Sequence, residues 1–163
     1  MKFERIPYMV VFDEVSALKD TYGGAIGKVA VEAMHLKPEV PSDTVVVFSH
    51  PIGGGAWLPL VSMLARMGVH TIYANTRYRG NDTALIMERA TMDFAAVIRD
   101  AKERLGYARV YLGGWSGGGA QSLFYQAEAQ DPRVTHTPAG DPYDLVAANF
   151  IPADGVLLLA AHL

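Results

Sequence analysis

The sequence predicts an α/β domain, a mostly parallel sheet with helices on both of its faces. Short apolar runs rich in β-branched residues alternate with segments of helical period, the order that builds such a layered fold. The runs are continuously apolar, as strands buried on both sides are. Glycines follow the first two helical segments directly, where a left-handed residue closes a helix. A chain of 163 residues, half of them hydrophobic, has room for one such domain and its core.

Residues 28–37 alternate loosely and read as an outer antiparallel strand, so the first forty residues supply two outer strands. Residues 44–49 (Thr-Val-Val-Val-Phe-Ser) form the first fully buried strand. A helix is expected over 56–67, with Leu60, Leu64 and Met67 on one face and Gly68 behind it. Residues 69–74 make the next strand. Phe94, Val97, Ile98, Ala101 and Leu105 then draw one stripe along a helix over 91–105, closed by Gly106. A strand over 109–113 leads into a third helix over 116–130, with Leu123, Phe124 and Ala127 on one side. Residues 131–154 hold prolines at 132, 138, 142 and 152 and read as a long excursion with one short helix over 143–148. The last strand spans 155–161.

Fourteen Lys and Arg against seventeen Asp and Glu leave a net charge of −3, which is not the basic footprint of a nucleic-acid binder. The absence of cysteine removes disulfides, thiolate metal sites and a cysteine nucleophile. The apolar run 156–161 is far shorter than the ~20 residues of a membrane helix, and the N-terminus lacks a signal-peptide core. A soluble, cytoplasmic protein with no membrane segment is expected.

The chemistry concentrates in Gly113-Gly114-Trp115-Ser116-Gly117-Gly118-Gly119, between an apolar strand and a helix. It contains G-x-S-x-G in the strand–turn–helix setting that gives this pentapeptide its meaning. A serine that attacks carbonyls must project from a sharp, strained turn at the sheet edge, and small neighbours let strand and helix close around it. The helix N-terminus adds positive potential where negative charge develops. A serine N-cap or a phosphate-gripping turn would use similar residues. However, no glycine triplet has the dinucleotide spacing, and the glycines of 23–28 are wrongly spaced for a phosphate loop. A second glycine cluster, His50-Pro51-Ile52-Gly53-Gly54-Gly55, follows the first buried strand. Acyl transfer needs two amides aimed at the oxyanion. Gly117 would offer one and Ile52, or failing it Gly53, the other.

With these two loops, and the Tyr78-Arg79-Gly80-Asn81-Asp82 turn between them, the sequence resembles the α/β-hydrolase superfamily over at least residues 44–130. The resemblance implies a serine hydrolase of esters, thioesters or related acyl compounds, with Ser116 as nucleophile and with no cofactor or metal. It places His50 as a loop-stabilising residue, and Arg79 and Asp82 read as a hydrogen-bonded turn. The family usually has His-Gly where this chain has His50-Pro51. Proline has no N–H, so the oxyanion donor shifts to Ile52 or Gly53.

Such a serine needs a base oriented by an acid, and in the family both follow later strands. Downstream of Ser116 stand only His136, in the proline-rich excursion, and His162, beside the strand end. His162 is the candidate base, although it sits next to a terminus that should fray. Asp154 precedes its strand and belongs to the opposite sheet end. The missing acid and the uncovered last strand lead us to expect the N-terminal, nucleophile-bearing part of a longer hydrolase, C-terminally incomplete. The competing expectation is a non-catalytic binding protein of the same fold, forming a homodimer through its C-terminal edge strand. Trp57 and Trp115 are candidates for lining the pocket of a small acyl substrate.

Overall fold

A computed structural model of the protein describes residues 1–14, 27–81 and 83–162. Asp82 and the glycines at 23 and 24 therefore lie outside the described residues. The elements follow as β1 (Phe3–Asp13), β2 (Lys28–Pro38), β3 (Thr44–Ser49), α1 (Pro59–Arg66), β4 (His70–Ala74), α2 (Met87–Glu103), β5 (Arg109–Ser116), α3 (Gly118–Gln130) and β6 (Gly155–Ala161). The six-stranded sheet has the order β1-β2-β4-β3-β5-β6. β1 and β2 form the antiparallel outer pair, β2 runs antiparallel to β4, and β4, β3, β5 and β6 are parallel. No helix among the described residues is long and apolar enough to cross a membrane.

Two cores sandwich the sheet, so helices do cover both faces. On one face Val45, Val47, Ile72, Val110 and Leu112 pack against Phe94, Val97 and Ile98 of α2 and Tyr125 of α3. On the other, Val46, Phe48 and Tyr73 pack against Val61 and Ala65 of α1. Five residues of β4 in a row are buried, which is why that run shows no polar alternation.

Three local expectations are corrected. α1 starts at Pro59 because Ala56 to Leu58 form a turn closed by the Leu58 N–H on the Gly55 carbonyl (2.9 Å), and proline suits a first helical turn. Its buried face is Val61 and Ala65, while Met67 is 75% exposed. In α3 the buried face is Gln121, Ser122, Tyr125 and Glu128, and Leu123 points outward. The short helix over 143–148 does not form. Tyr143 and Leu145 are instead buried against Met92 of α2, and an Asp144 side chain receives the Ala147 N–H (3.0 Å) to make a turn. Gly68 and Gly106 close α1 and α2 as expected, with φ of +92° and +77°.

Candidate active site

β5 delivers Ser116 to the carboxyl end of the central parallel strands, and α3 leaves at once in a new direction. Ser116 stands at the turn with φ of +53°, a left-handed conformation that costs a serine about 1–3 kcal/mol and persists only when neighbours impose it. Those neighbours are tight. A Cβ on Gly118 would lie 2.1 Å from the Ser49 carbonyl oxygen, and one on Gly114 would lie 2.7 Å from the Gly119 Cα. A Cβ on Gly119 would lie 2.4 Å from the Ala161 side chain. Strand, turn and helix can meet here only because these positions carry hydrogen. The Ser116 hydroxyl makes no hydrogen bond to any described residue, and the side chain is half-buried.

The loop after β3 lies beside this turn. His50 packs against Gly117, with Nε2 3.1 Å from where a Gly117 Cβ would stand. His50 Nδ1 accepts the Ile52 N–H at 3.3 Å, and the His50 carbonyl accepts the Gly53 N–H at 3.4 Å. Both alternatives for the second oxyanion amide, Ile52 and Gly53, are thus engaged inside their own loop, through long contacts. Burial lowers the His50 pKa, and the nearby His162 imidazole lowers it further, which favours the neutral ring that accepts from Ile52.

Tyr73 of β4 and the following turn brace this loop, and sequence reasoning did not find them. The Tyr73 hydroxyl donates to the Gly53 carbonyl (3.1 Å), Thr76 Oγ1 donates to the Pro51 carbonyl, and the Gly80 N–H donates to the Ile52 carbonyl (2.9 Å). Arg79 lies over Gly54, with Nε 2.9 Å from the position of an added Cβ, and pairs with Glu32 of β2. Arg79 therefore does more than bond within its own turn. Nothing in an apolar strand run marks Tyr73 as a loop support.

The backbone of His162 is joined to the serine turn and to α3. Its N–H donates to the Ser116 carbonyl (2.9 Å), and its carbonyl accepts the Ala120 N–H (3.1 Å). The ladder of β5 and β6 shifts register at Trp115 and Ser116 because Ala160, with φ of +45°, is an extra residue in β6. This bulge twists the strand end toward the serine turn. The His162 side chain is exposed and makes no hydrogen bond to a described residue. Trp115 is 38% exposed, with its ring 6.1 Å from that of His50. Trp57 is 71% exposed and is capped at 4.3 Å by the Arg5 guanidinium of β1. His136 is exposed in the excursion beside Thr135. Asp154 is at the far sheet end, where it accepts the Val110 N–H (2.8 Å) and pairs with Lys102.

The strand order, the strained serine between β5 and α3, and the braced loop after β3 accompany a family-model match. The model for the alpha/beta hydrolase fold matches residues 44–136, more than half of the chain. The chain belongs to the α/β-hydrolase family. Solved structures of similar fold include the esterase LipW from Mycobacterium marinum, at a TM-score of 0.58 and 16% identity over 99% of this chain and 45% of that one. EstE7, a homolog of HSL from a metagenome library, has a TM-score of 0.58 and 17% identity over 80% of this chain and 41% of its own. Carboxyl esterase 2 from the mycorrhizal fungus Tuber melanosporum has a TM-score of 0.56 and 17% identity, over 80% and 42%. The chain thus spans about half the length of the solved α/β hydrolases it matches. No curated relative matches it by sequence.

Proposed function

We propose that this α/β-hydrolase chain carries the nucleophile and oxyanion half of a serine hydrolase acting on ester, thioester or related acyl bonds. The observation that carries the reading is the strained φ of Ser116 at the glycine-lined turn between β5 and α3. In the proposed reaction Ser116 Oγ attacks the acyl carbon and its proton passes to a base. The carbonyl electrons collect on an oxyanion, which collapses to an acyl-serine as the alcohol or thiol leaves with that proton. Water then gives a proton to the base and attacks the acyl carbon, the Oγ–C bond breaks to release the carboxylic acid, and the proton returns to Ser116 Oγ. The Gly117 N–H opens the α3 N-terminus beside Ser116, and its partner amide comes from the Ile52–Gly53 stretch once its long internal contact is released. His162, clamped by its backbone to Ser116 and Ala120, is the base this chain offers, and Trp115 borders the acyl site.

A fluorophosphonate probe tests the assignment. Labelling should fall on Ser116 and vanish in Ser116→Ala. His162→Ala should slow labelling by about 10²–10⁴-fold if His162 is the base, and an unchanged rate would remove it from that role. Turnover that survives Ser116→Ala would overturn the assignment.

A second reading, a binding protein that pairs through β6, is favoured by the exposure of Leu157 and Leu158, 42% and 43%, on that edge strand. It requires an oligomer that grows with concentration in light scattering, together with unlabelled Ser116.

A further inference from the structure

A cleft of about 390 Å³ opens at the end of the sheet away from Ser116. His70 begins β4 opposite Val45, near the start of β3, whereas Ser49 at the other end of β3 abuts the serine turn. The cleft walls include Tyr8 of β1, His35 and Lys37 of β2, His70 of β4, Arg104 after α2, and Tyr107.

Three of these side chains form a hydrogen-bonded chain whose direction follows from its far end. His70 Nε2 lies 2.8 Å from the Val40 carbonyl, which can only accept, so Nε2 carries a proton, and in the singly protonated ring Nδ1 accepts. The Tyr107 hydroxyl therefore donates to His70 Nδ1 (2.6 Å) and in turn accepts from His35 Nε2 (2.8 Å). In this arrangement His35 Nδ1 is the lone pair the chain leaves over.

The two cations on the cleft each have a carboxylate close by: Glu4 of β1 stands opposite Lys37 in the ladder, and Asp100 binds Arg104. The lining residues include Lys37 and Arg104 and no carboxylate. Lys37 makes no ion pair with a described residue, while Arg104 binds Asp100 (2.6 Å) and lies 5.1 Å from the Tyr8 ring centre. The Tyr8 hydroxyl is buried and has no hydrogen-bond partner among the described residues, an arrangement that a bound acceptor would complete. Ile6 and Leu105 supply apolar wall.

We propose that this cleft is a second ligand site, which takes a small organic anion, a carboxylate or a phosphate ester. Lys37 at the exposed rim holds the anionic group, the Tyr8 hydroxyl donates to it once the side chain turns out of its enclosed position, and the His35–Tyr107–His70 chain forms the back wall. The site is independent of the chemistry at Ser116. Binding is coupled to a proton. His35 is depressed to about 4 by burial and then by His70, Lys37 and Arg104, while Tyr8, Tyr107 and the Asp100 paired to Arg104 complete its surroundings. An anion beside Lys37 offsets that positive field, so His35 takes up a proton more readily and affinity rises as the solution is acidified.

The test is a titration of the chain with inorganic phosphate and with benzoate, followed by imidazole and tyrosine-ring NMR signals at about pH 4.5 and about pH 6.5, which bracket the His35 transition, with chloride as the ionic-strength control. We expect a saturable shift at His35 and Tyr107 with at least one probe, tighter at the lower pH. Lys37→Gln, an exposed substitution, should weaken it by about tenfold or more, while Ser116→Ala leaves it unchanged. The probe that saturates distinguishes carboxylate from phosphate. Shifts that match those of chloride, that fail to saturate up to about 50 mM, or that are unaltered in Lys37→Gln would overturn the proposal.

Discussion

Ser116 concentrates the tension between stability and chemistry in one backbone angle. Its φ of +53° is paid in folding free energy, and a glycine at the same place would carry no such cost. Ser116→Gly should therefore stabilise the chain by about 1 kcal/mol in urea denaturation, even as it abolishes probe labelling. The opposite end of the sheet holds a second sensitive point. Tyr107→Phe leaves His35 Nε2 and His70 Nδ1 without their shared partner and should cost about 1–3 kcal/mol. His35 also makes stability depend on acid. Its pKa is lowered in the fold to about 4, chiefly by burial, so the unfolded chain binds the extra proton first. Stability is then fully present above the unfolded histidine value of about 6.5 and is lost as pH falls from there toward 4. Melting temperatures across that window should decline, and His35→Gln should flatten the decline.

Among the elements, α3 shows how close approach outranks hydrophobic pattern. Its apolar side chains Leu123 and Phe124 suggested one inward face, yet Gln121, Ser122, Tyr125 and Glu128 are the buried ones. Gly118 against the Ser49 carbonyl, and Gly119 against Ala161, bring the helix start so near the sheet that its rotation is set there. Two of the buried polar side chains find partners, Gln121 Nε2 donating to the Ala90 carbonyl (2.9 Å) and Glu128 receiving the Arg133 and Val134 N–H groups (2.9 Å each), whereas Ser122 Oγ and Gln121 Oε1 have none among the described residues. Gly118→Ala forces a methyl into a backbone oxygen and should lower stability by more than about 2 kcal/mol and remove labelling of Ser116. The excursion after α3 is held by a buried ionic cluster that no motif announced. Arg77 pairs with Glu14 and with Asp93 of α2 (2.7 Å), and the Tyr143 hydroxyl donates to Glu14 (2.7 Å). Both carboxylate side chains are fully buried. Arg77→Met would strand two charges and should destabilise by about 3–5 kcal/mol in the same denaturation assay. The expected 143–148 helix fails for a related reason: Tyr143 and Leu145 are drawn to Met92 and Glu14 by contacts remote in sequence.

Across the molecule, the parallel strands set a polarity that separates two regions, the serine turn at their carboxyl ends and the His35–Tyr107–His70 cleft at the other. β6 borders the sheet with Leu157 and Leu158 exposed, so Leu157→Lys with Leu158→Lys should abolish any concentration-dependent association seen by light scattering. The layered α/β architecture and the serine turn were legible in local signals, because buried strands, helix-closing glycines and a G-x-S-x-G turn each act within a few residues of chain. The bracing of the His50–Gly55 loop by Tyr73 and Arg79, the inward face of α3, the clamp of His162 on Ser116 and the histidine–tyrosine chain were not. Each of these joins residues distant in sequence, and its energy comes from fit across the packed layers, which no local period or spacing encodes.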